Sequence, residues 1–519
     1  MIGAIARYEF RRQRAGRVFL VVAAVSLLMV LGSVGVDALR VGVGDGGLRN
    51  GAEVIVRTHG VWTLFYLFTA AAFAGEAALR DDAAGFAPVV RASPAKGRDL
   101  ALGRYLGAFV ATVLCFLTVP LAFALAPFMP WVAPETVGPL RADALLFSTI
   151  FIALPNLFLG TALFFALAAG TRAMGAVLLG AVALITLYGL GGRSGAALSP
   201  LLEPFGLAAY RTAIAGWPAA ARDAAVPWGD PILLANRALA VALGVAALAL
   251  AVRLYRAAPR GKARPVGIDP TPAPDARYRP LRPSPMPGAQ ARARLGLELK
   301  QVLRSPIFLA LFGMALAGGI ARLGGLAPGL DDRALLLAVH DAFALAPLVT
   351  ILFFAGELVW NERDRGMHGL IGACPISRPV LILPKLAALL AVLAALALAV
   401  VGAAVATHGP DRLPAVAGLA ASAWYEWALT AVLATTLQLL APGKLAGWGL
   451  FVLFLIGSLA LERLGVHDPL VRYARHPGWP LPGGPDAWLY RLYWTAIAAG
   501  LFAIALRFHA RPRRSPTNA

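Results

Sequence analysis

The chain has 519 residues, 59% of them hydrophobic and 14% charged, with a mean hydropathy of +0.71 and a formal net charge of +20. A soluble protein carries about 25% charged residues, so this composition excludes a single aqueous globular core and predicts a polytopic membrane protein. The basic residues sit in clusters between apolar runs, as membrane loops do, which argues against a nucleic-acid partner.

Twelve runs are long and apolar enough to be read as spanning helices, which need about 20 apolar residues each. In the first half they are Val18–Val36, Val61–Leu79, Leu100–Ala126, Ala144–Ala169, Ala173–Leu190 and Pro231–Leu254. In the second half they are Ile307–Leu323, Ala334–Val359, Val380–Ala406, Pro414–Leu440, Leu445–Leu461 and Ala487–Phe508. The runs are continuous and do not alternate, so a β-barrel is excluded. The first run follows a basic segment, but it is longer than the apolar core of a signal peptide and reads as an uncleaved spanning helix. The expected organisation is a first six-helix repeat over residues 1–256, a Pro/Arg-rich linker over 257–291 and a second six-helix repeat over 292–519. The linker carries Pro259, Pro265, Pro270, Pro272 and Pro274 among others and reads as an extended tether, with some attraction to anionic lipid.

Lys and Arg placement sets the orientation. The N-terminus, the stretch Arg80–Arg104, the stretch Arg253–Arg304 and the C-terminal Arg507, Arg511, Arg513 and Arg514 are basic and fall on one side if each half has six helices. That side is the cytoplasm, so both termini are expected there and the two repeats are parallel. Short charged segments, Ile5–Arg17 and Leu295–Pro306, precede the first run of each half and read as interfacial amphipathic helices.

One stretch occurs twice. Phe73–Arg104 aligns with Phe354–Lys385 at an offset of 281, with identities at Phe73/Phe354, Ala74/Ala355, Gly75/Gly356, Glu76/Glu357, Gly85/Gly366, Ala92/Ala373, Pro94/Pro375, Leu100/Leu381 and Leu102/Leu383. This is an internal repeat. Glu76 and Glu357 occupy equivalent positions near the ends of two apolar runs. Arg80 and Arg363 follow, close enough for local ion pairs that would fix each helix end to its loop. A helix-ending carboxylate that reaches water is the alternative reading.

Nothing in the chain looks like an engine. The pairs Gly261-Lys262 and Gly443-Lys444 are followed by Ala263 and Leu445, not by the hydroxyl a phosphate-binding loop needs. There is no H-E-x-x-H, the histidines are scattered, and Cys115 and Cys374 make neither a metal pattern nor a disulfide framework. No catalytic, cofactor or metal residue is assigned, and an enzyme is not expected. Two intramembrane polar groups stand out. Glu426 lies inside the tenth run, either as an ion site or as part of an interfacial belt with Trp424, Tyr425 and Trp427. Asn156 follows Pro155 in the fourth run, where packing is the simpler role. The spacing Gly103-x-x-x-Gly107 is a weak helix-packing signal.

Gly356-Glu357, Glu362-Arg363, Gly366, Pro375-Ile376, Arg378 and Lys385 together resemble the permease subunits of ABC-2 type ATP-driven exporters. Leu79-Arg80-Asp81, Ser93-Pro94, Gly103-Arg104, Glu203-Pro204-Phe205-Gly206, Asn236-Arg237, Gln438 with Lys444, Leu464-Gly465-Val466-His467 and Tyr493-Trp494 are similar to the permeases associated with M1-family aminopeptidases. The resemblance implies that the loop after the second helix of each bundle forms a short coupling helix docking on an ATP-binding subunit, here about Asp81–Arg91 and Glu362–Gly372. The residues implied in coupling are Glu76, Arg80, Asp81, Asp82, Pro94, Arg104, Glu357, Glu362, Arg363, Pro375 and Lys385. It further implies two ATP-binding subunits that carry ATP and Mg²⁺, a location in a bacterial inner membrane, and, where a peptidase is involved, a separate M1-type chain. The function expected is export driven by ATP hydrolysis in a separate subunit. The alternatives are a scaffold that transmits ATPase motion to a peptidase and an ATP-independent secondary transporter.

Overall fold

The computed structural model describes residues 1–35, 47–130, 132–191, 199–256, 287–326, 331–374, 376–463, 465–484 and 486–508. These residues are helical without a strand and divide into two units, Met1–Pro259 and Arg260–Ala519. Most of the expected linker, 257–286, lies outside the described residues, as do Pro375 and the tail beyond Phe508.

The first unit opens with α1 (Ile2–Ala15) and α2 (Arg17–Gly35), followed by α3 (Ala52–Ala83), the six-residue α4 (Ala87–Ala92), α5 (Gly97–Phe116) and α6 (Thr118–Leu125). Next come α7 (Ala142–Phe147), a π-helical turn over Ser148–Ala153, α8 (Leu154–Thr171) and α9 (Met174–Gly191). Three short helices, α10 (Ser199–Leu202), α11 (Leu207–Ala213) and α12 (Ala219–Ala224), lead into the long α13 (Pro231–Arg256). The π-helical turn sits just before Pro155, whose missing N–H leaves an upstream carbonyl without its usual partner. Helix α13 starts where Asp230 Oδ1 accepts from the Leu233 N–H at 2.8 Å. The core is aromatic: Tyr66, Tyr105, Phe116, Phe123, Phe164 and Phe165 are almost wholly buried, and the Tyr66 hydroxyl donates to the Cys115 carbonyl at 2.8 Å.

The second unit contains α14 (Pro287–Leu303), α15 (Pro306–Gly324), α16 (Asp332–Phe343), α17 (Leu345–Asp364) and the six-residue α18 (His368–Ala373). It continues with α19 (Arg378–His408), α20 (Leu413–Leu440), α21 (Lys444–Arg463) and α22 (Ala487–Phe508). Helix α16 is capped by Asp331, which accepts from the Ala334 N–H. Pro347 lies in the first turn of α17, where its missing N–H leaves the Phe343 carbonyl at the end of α16 without an i+4 donor.

Among the described residues nine helical stretches are long and apolar enough to cross a membrane. Ile2–Ala15 and Val18–Val34, which meet at 65°, make a tenth if counted as one broken span. The runs expected at Ala173–Leu190 and Leu445–Leu461 fall on α9 (Met174–Gly191) and α21 (Lys444–Arg463), whose apolar stretches among the described residues are Met174–Ile185 and Ala446–Leu459. The chain is therefore a polytopic, membrane-embedded, all-helical protein. One boundary differs clearly from expectation. Helix α3 begins nine residues before Val61, at Ala52, because Glu53 and Arg57 pair at i, i+4 (3.1 Å) and the buried His59 bonds the Ile55 carbonyl at 2.8 Å, so polar residues extend the helix.

Candidate functional site

The duplicated stretch folds the same way in both units. Helix α3 ends at Gly85 with φ +72°, and α17 ends at Gly366 with φ +68°. Only glycine takes this left-handed turn without strain. A six-residue helix follows each turn, α4 and α18, at the same offset of 281. Each presents an apolar pair to its surroundings: Phe86 is 62% exposed and Val89 66%, while Met367 is 47% exposed and Leu370 72%. The pairs are spaced i, i+3, on one face of a helical turn. Helix α4 stops at Ser93, whose hydroxyl donates to the Val90 carbonyl at 2.6 Å, and Pro94 prevents continuation. The expected coupling helices are thus shorter than Asp81–Arg91 and Glu362–Gly372. Asp81 and Asp82 belong to the last turn of α3, and Glu362 and Arg363 to the last turn of α17.

Against the last turns of α3 and α17 lies a buried base. Arg104 of α5, 5% exposed, donates to the Ala77 carbonyl at 3.3 Å and to Asp81 Oδ2 at 2.5 Å. Lys385 of α19, 1% exposed, donates to the Leu358 carbonyl at 2.5 Å and lies 3.0 Å from Glu362 Oε1. Every one of these positions is related by the same offset. A buried cation needs an anion and a carbonyl to replace lost water, which explains why a base in one helix and an acid in the other recur together.

The local pairs expected from sequence do not form. Glu76 instead accepts from Arg12 of α1 at 2.9 Å, and Arg80 reaches the fully buried Glu9 of α1 at 2.8 Å. Glu357 pairs with Lys444 of α21 at 2.5 Å, and the same ammonium lies 3.0 Å from Asp364. Arg363 rests over the Trp360 ring, 4.9 Å from its centroid. Asp82 lies 4.0 Å from Arg172. Tertiary partners win because α1 and α21 lie alongside the helix ends and bring opposite charges into reach. Asp81 and Glu362 are therefore internal braces, and charge reversal there would disturb the fold before it disturbed a partner.

Sequence reading passed over Glu9, Arg294 and Glu298. Helix α1 lies so close to α5 that a Cβ on Gly103 would come 2.6 Å from Ile5 Cβ, and one on Gly107 2.5 Å from Glu9 Cβ. The weak glycine spacing thus marks a real backbone contact. In the second unit Arg294 of α14 bridges Glu298, at 2.8 Å, and Glu362. The signal was present: Glu9 and Glu298 each stand between large apolar residues, in Tyr8-Glu9-Phe10 and Leu297-Glu298-Leu299.

The two polar residues expected inside the membrane, Asn156 and Glu426, are both tied down. Asn156 donates to Thr63 Oγ1 and to the Phe205 carbonyl, both at 3.1 Å, and accepts from Arg237 at 2.8 Å. Arg237 also donates to the Pro204 carbonyl at 3.1 Å, and Asn236 donates to the Glu203 carbonyl at 2.8 Å. Glu203 accepts from the Phe205 and Ala208 N–H groups. Gly206 has φ +76°, and a Cβ there would lie 2.4 Å from the Arg237 guanidinium carbon. The two short motifs Glu203–Gly206 and Asn236-Arg237 thus form one knot around Asn156.

Glu426 is covered by the segment between α21 and α22. Its Oε2 accepts from the Trp479 indole at 2.6 Å and lies 3.7 Å from Arg475; its Oε1 lies 3.3 Å from His476 Nε2. The Arg475 guanidinium stacks 3.3 Å above the Trp479 ring. Burial pulls Arg475 down to about 10 while Glu426 pulls the other way, so it stays positive at neutral pH. The flanking Tyr425 hydroxyl donates to the Arg491 carbonyl in the first turns of α22, which sets Glu426 at the level where α22 begins. No cluster able to hold a metal ion occurs among the described residues. No protein-family model matches the chain, and no curated protein matches it.

Proposed function

We propose that this chain is the membrane permease subunit of an ATP-driven exporter of the ABC-2 type, built as two parallel six-helix repeats. The observation that carries the reading is the pair of short helices α4 and α18. Each stands between two spans, carries an exposed i, i+3 apolar pair, and follows a long helix whose last turn is tied to the next span by an acid–base pair. An exposed apolar pair at equivalent places in two units fits two copies of one partner. That partner would be an ATP-binding subunit holding ATP and Mg²⁺, since this chain has no phosphate-binding loop of its own. Pushing α4 or α18 would move α5 or α19 through Asp81–Arg104 or Glu362–Lys385. In this reading α4, α18 and both termini face the cytoplasm of a bacterial cell, and the chain sits in its inner membrane.

The test is purification from the native membrane. The chain should bring with it an ATP-hydrolysing subunit at two copies per chain. Phe86→Asp with Val89→Asp, and separately Met367→Asp with Leu370→Asp, should each lower the co-purified ATPase while leaving chain insertion unchanged. ATPase recovery unaffected by both pairs would end the coupling assignment.

A further inference from the structure

We infer that Glu426 and His476 hold one proton between them, and that this shared proton closes the segment 465–484 over the side of α20. The argument is geometric and independent of the exporter reading. His476 is 3% exposed, and its Nδ1 lies 2.8 Å from the Pro477 carbonyl. A carbonyl only accepts, so Nδ1 carries a hydrogen. In a neutral imidazole Nε2 would then be a bare lone pair, facing Glu426 Oε1 at 3.3 Å. That oxygen is buried and accepts no hydrogen bond from any other group among the described residues. Two bare acceptors cannot rest against each other out of water without cost. One proton on either atom converts the contact into a hydrogen bond.

Charged and titratable groups face this pair from several elements. From the segment itself come Arg475, beside Glu426 Oε2, and Arg472, paired with Glu462 of α21 at 2.6 Å. From α22, Arg491 donates to Ser422 Oγ at 2.7 Å. From α16, His340 meets the Trp479 ring edge-on at 5.4 Å, with Asp341 beside it in sequence. Raising the pH strips the shared proton, sets two lone pairs face to face and loosens the segment. Among the described residues the competing hydrogen is that of Ser422, whose Oγ lies 3.4 Å from Nε2. If it pointed at a neutral imidazole, no proton would be shared.

Hydrogen–deuterium exchange of the full chain in lipid nanodiscs, corrected for intrinsic exchange rates, separates these cases. Peptides covering 465–484 should lose protection about ten-fold or more between about pH 6 and about pH 9. Glu426→Gln should stay closed across that range, because an amide N–H donates to the neutral imidazole. His476→Gln should do the same, because its amide donates to Glu426, and it serves if Glu426→Gln fails to fold. Ser422→Ala should retain the native pH dependence. A flat profile in the native chain, pH dependence that survives Glu426→Gln, or pH dependence abolished by Ser422→Ala would each overturn the inference.

Discussion

Replacing Arg104 by Met tests the brace between the last turn of α3 and α5. The substitution keeps most of the volume but removes the charge that answers Asp81 at 2.5 Å and the donor to the Ala77 carbonyl. Breaking a buried pair by removing one partner costs about 3–5 kcal/mol. The Asp81 side chain is 16% exposed and admits some water, which places the cost at the lower end, about 3 kcal/mol. For a unit of this size that corresponds to an apparent Tm lower by about 6–12 °C. The second unit supplies an internal control. Lys385→Met leaves Glu362 with Arg294, so its loss should be smaller, about 1–2 kcal/mol. Asp81→Asn placed on Arg104→Met should recover part of the loss, and the double-mutant cycle should give a coupling of about 2 kcal/mol. Thermal melting of the detergent-purified chain reads the native protein and the four variants. Equal losses from Arg104→Met and Lys385→Met, or strictly additive effects of Arg104→Met and Asp81→Asn, would refute the bracing argument.

Gly107→Leu should separate α1 from α5, because even its Cβ would lie 2.5 Å from Glu9 Cβ; limited proteolysis should then cut within residues 7–14 first. Asn156→Leu should destabilise the first unit by about 2–3 kcal/mol, since it strips donors and an acceptor from a buried knot, and melting measures it. Cys374 is exposed at the end of α18 and Cys115 is buried, so the native chain carries its own topology probe. In intact cells an impermeant thiol reagent should leave Cys374 unlabelled until the membrane is opened; labelling before that would reverse the proposed orientation.

Apolar run length and basic clustering are averages over many residues, so the all-helical membrane class could be read directly from sequence. The duplicated stretch could be read too, and its glycines fall where each long helix turns. Partner identity could not. Glu76 and Arg80 sit at helical spacing, yet each bonds to α1, because a helix packed alongside offers geometry that a neighbour one turn away cannot match. Glu426 is legible as a costly group inside an apolar run. What answers it, Arg475, His476 and Trp479, lies some 50 residues later in a segment without periodicity. The motifs Glu203–Gly206 and Asn236-Arg237 were visible as strings, but their shared role around Asn156 needed three dimensions.

The rods that lead to the two short helices differ in stiffness. Helix α3 runs unbroken over 32 residues, about 48 Å, from the turn that bonds Asp223 to the last turn before α4. A displacement at one end of such a rod reappears at the other with little loss. Its counterpart, Asp332–Asp364, stays helical through Ala344 but lacks one backbone bond there, because Pro347 offers no N–H to the Phe343 carbonyl. There the same displacement can be absorbed as bending before it travels further. Equal strokes applied to α4 and α18 would therefore arrive at the far ends of their bundles unequally, one as translation and one partly as flexure.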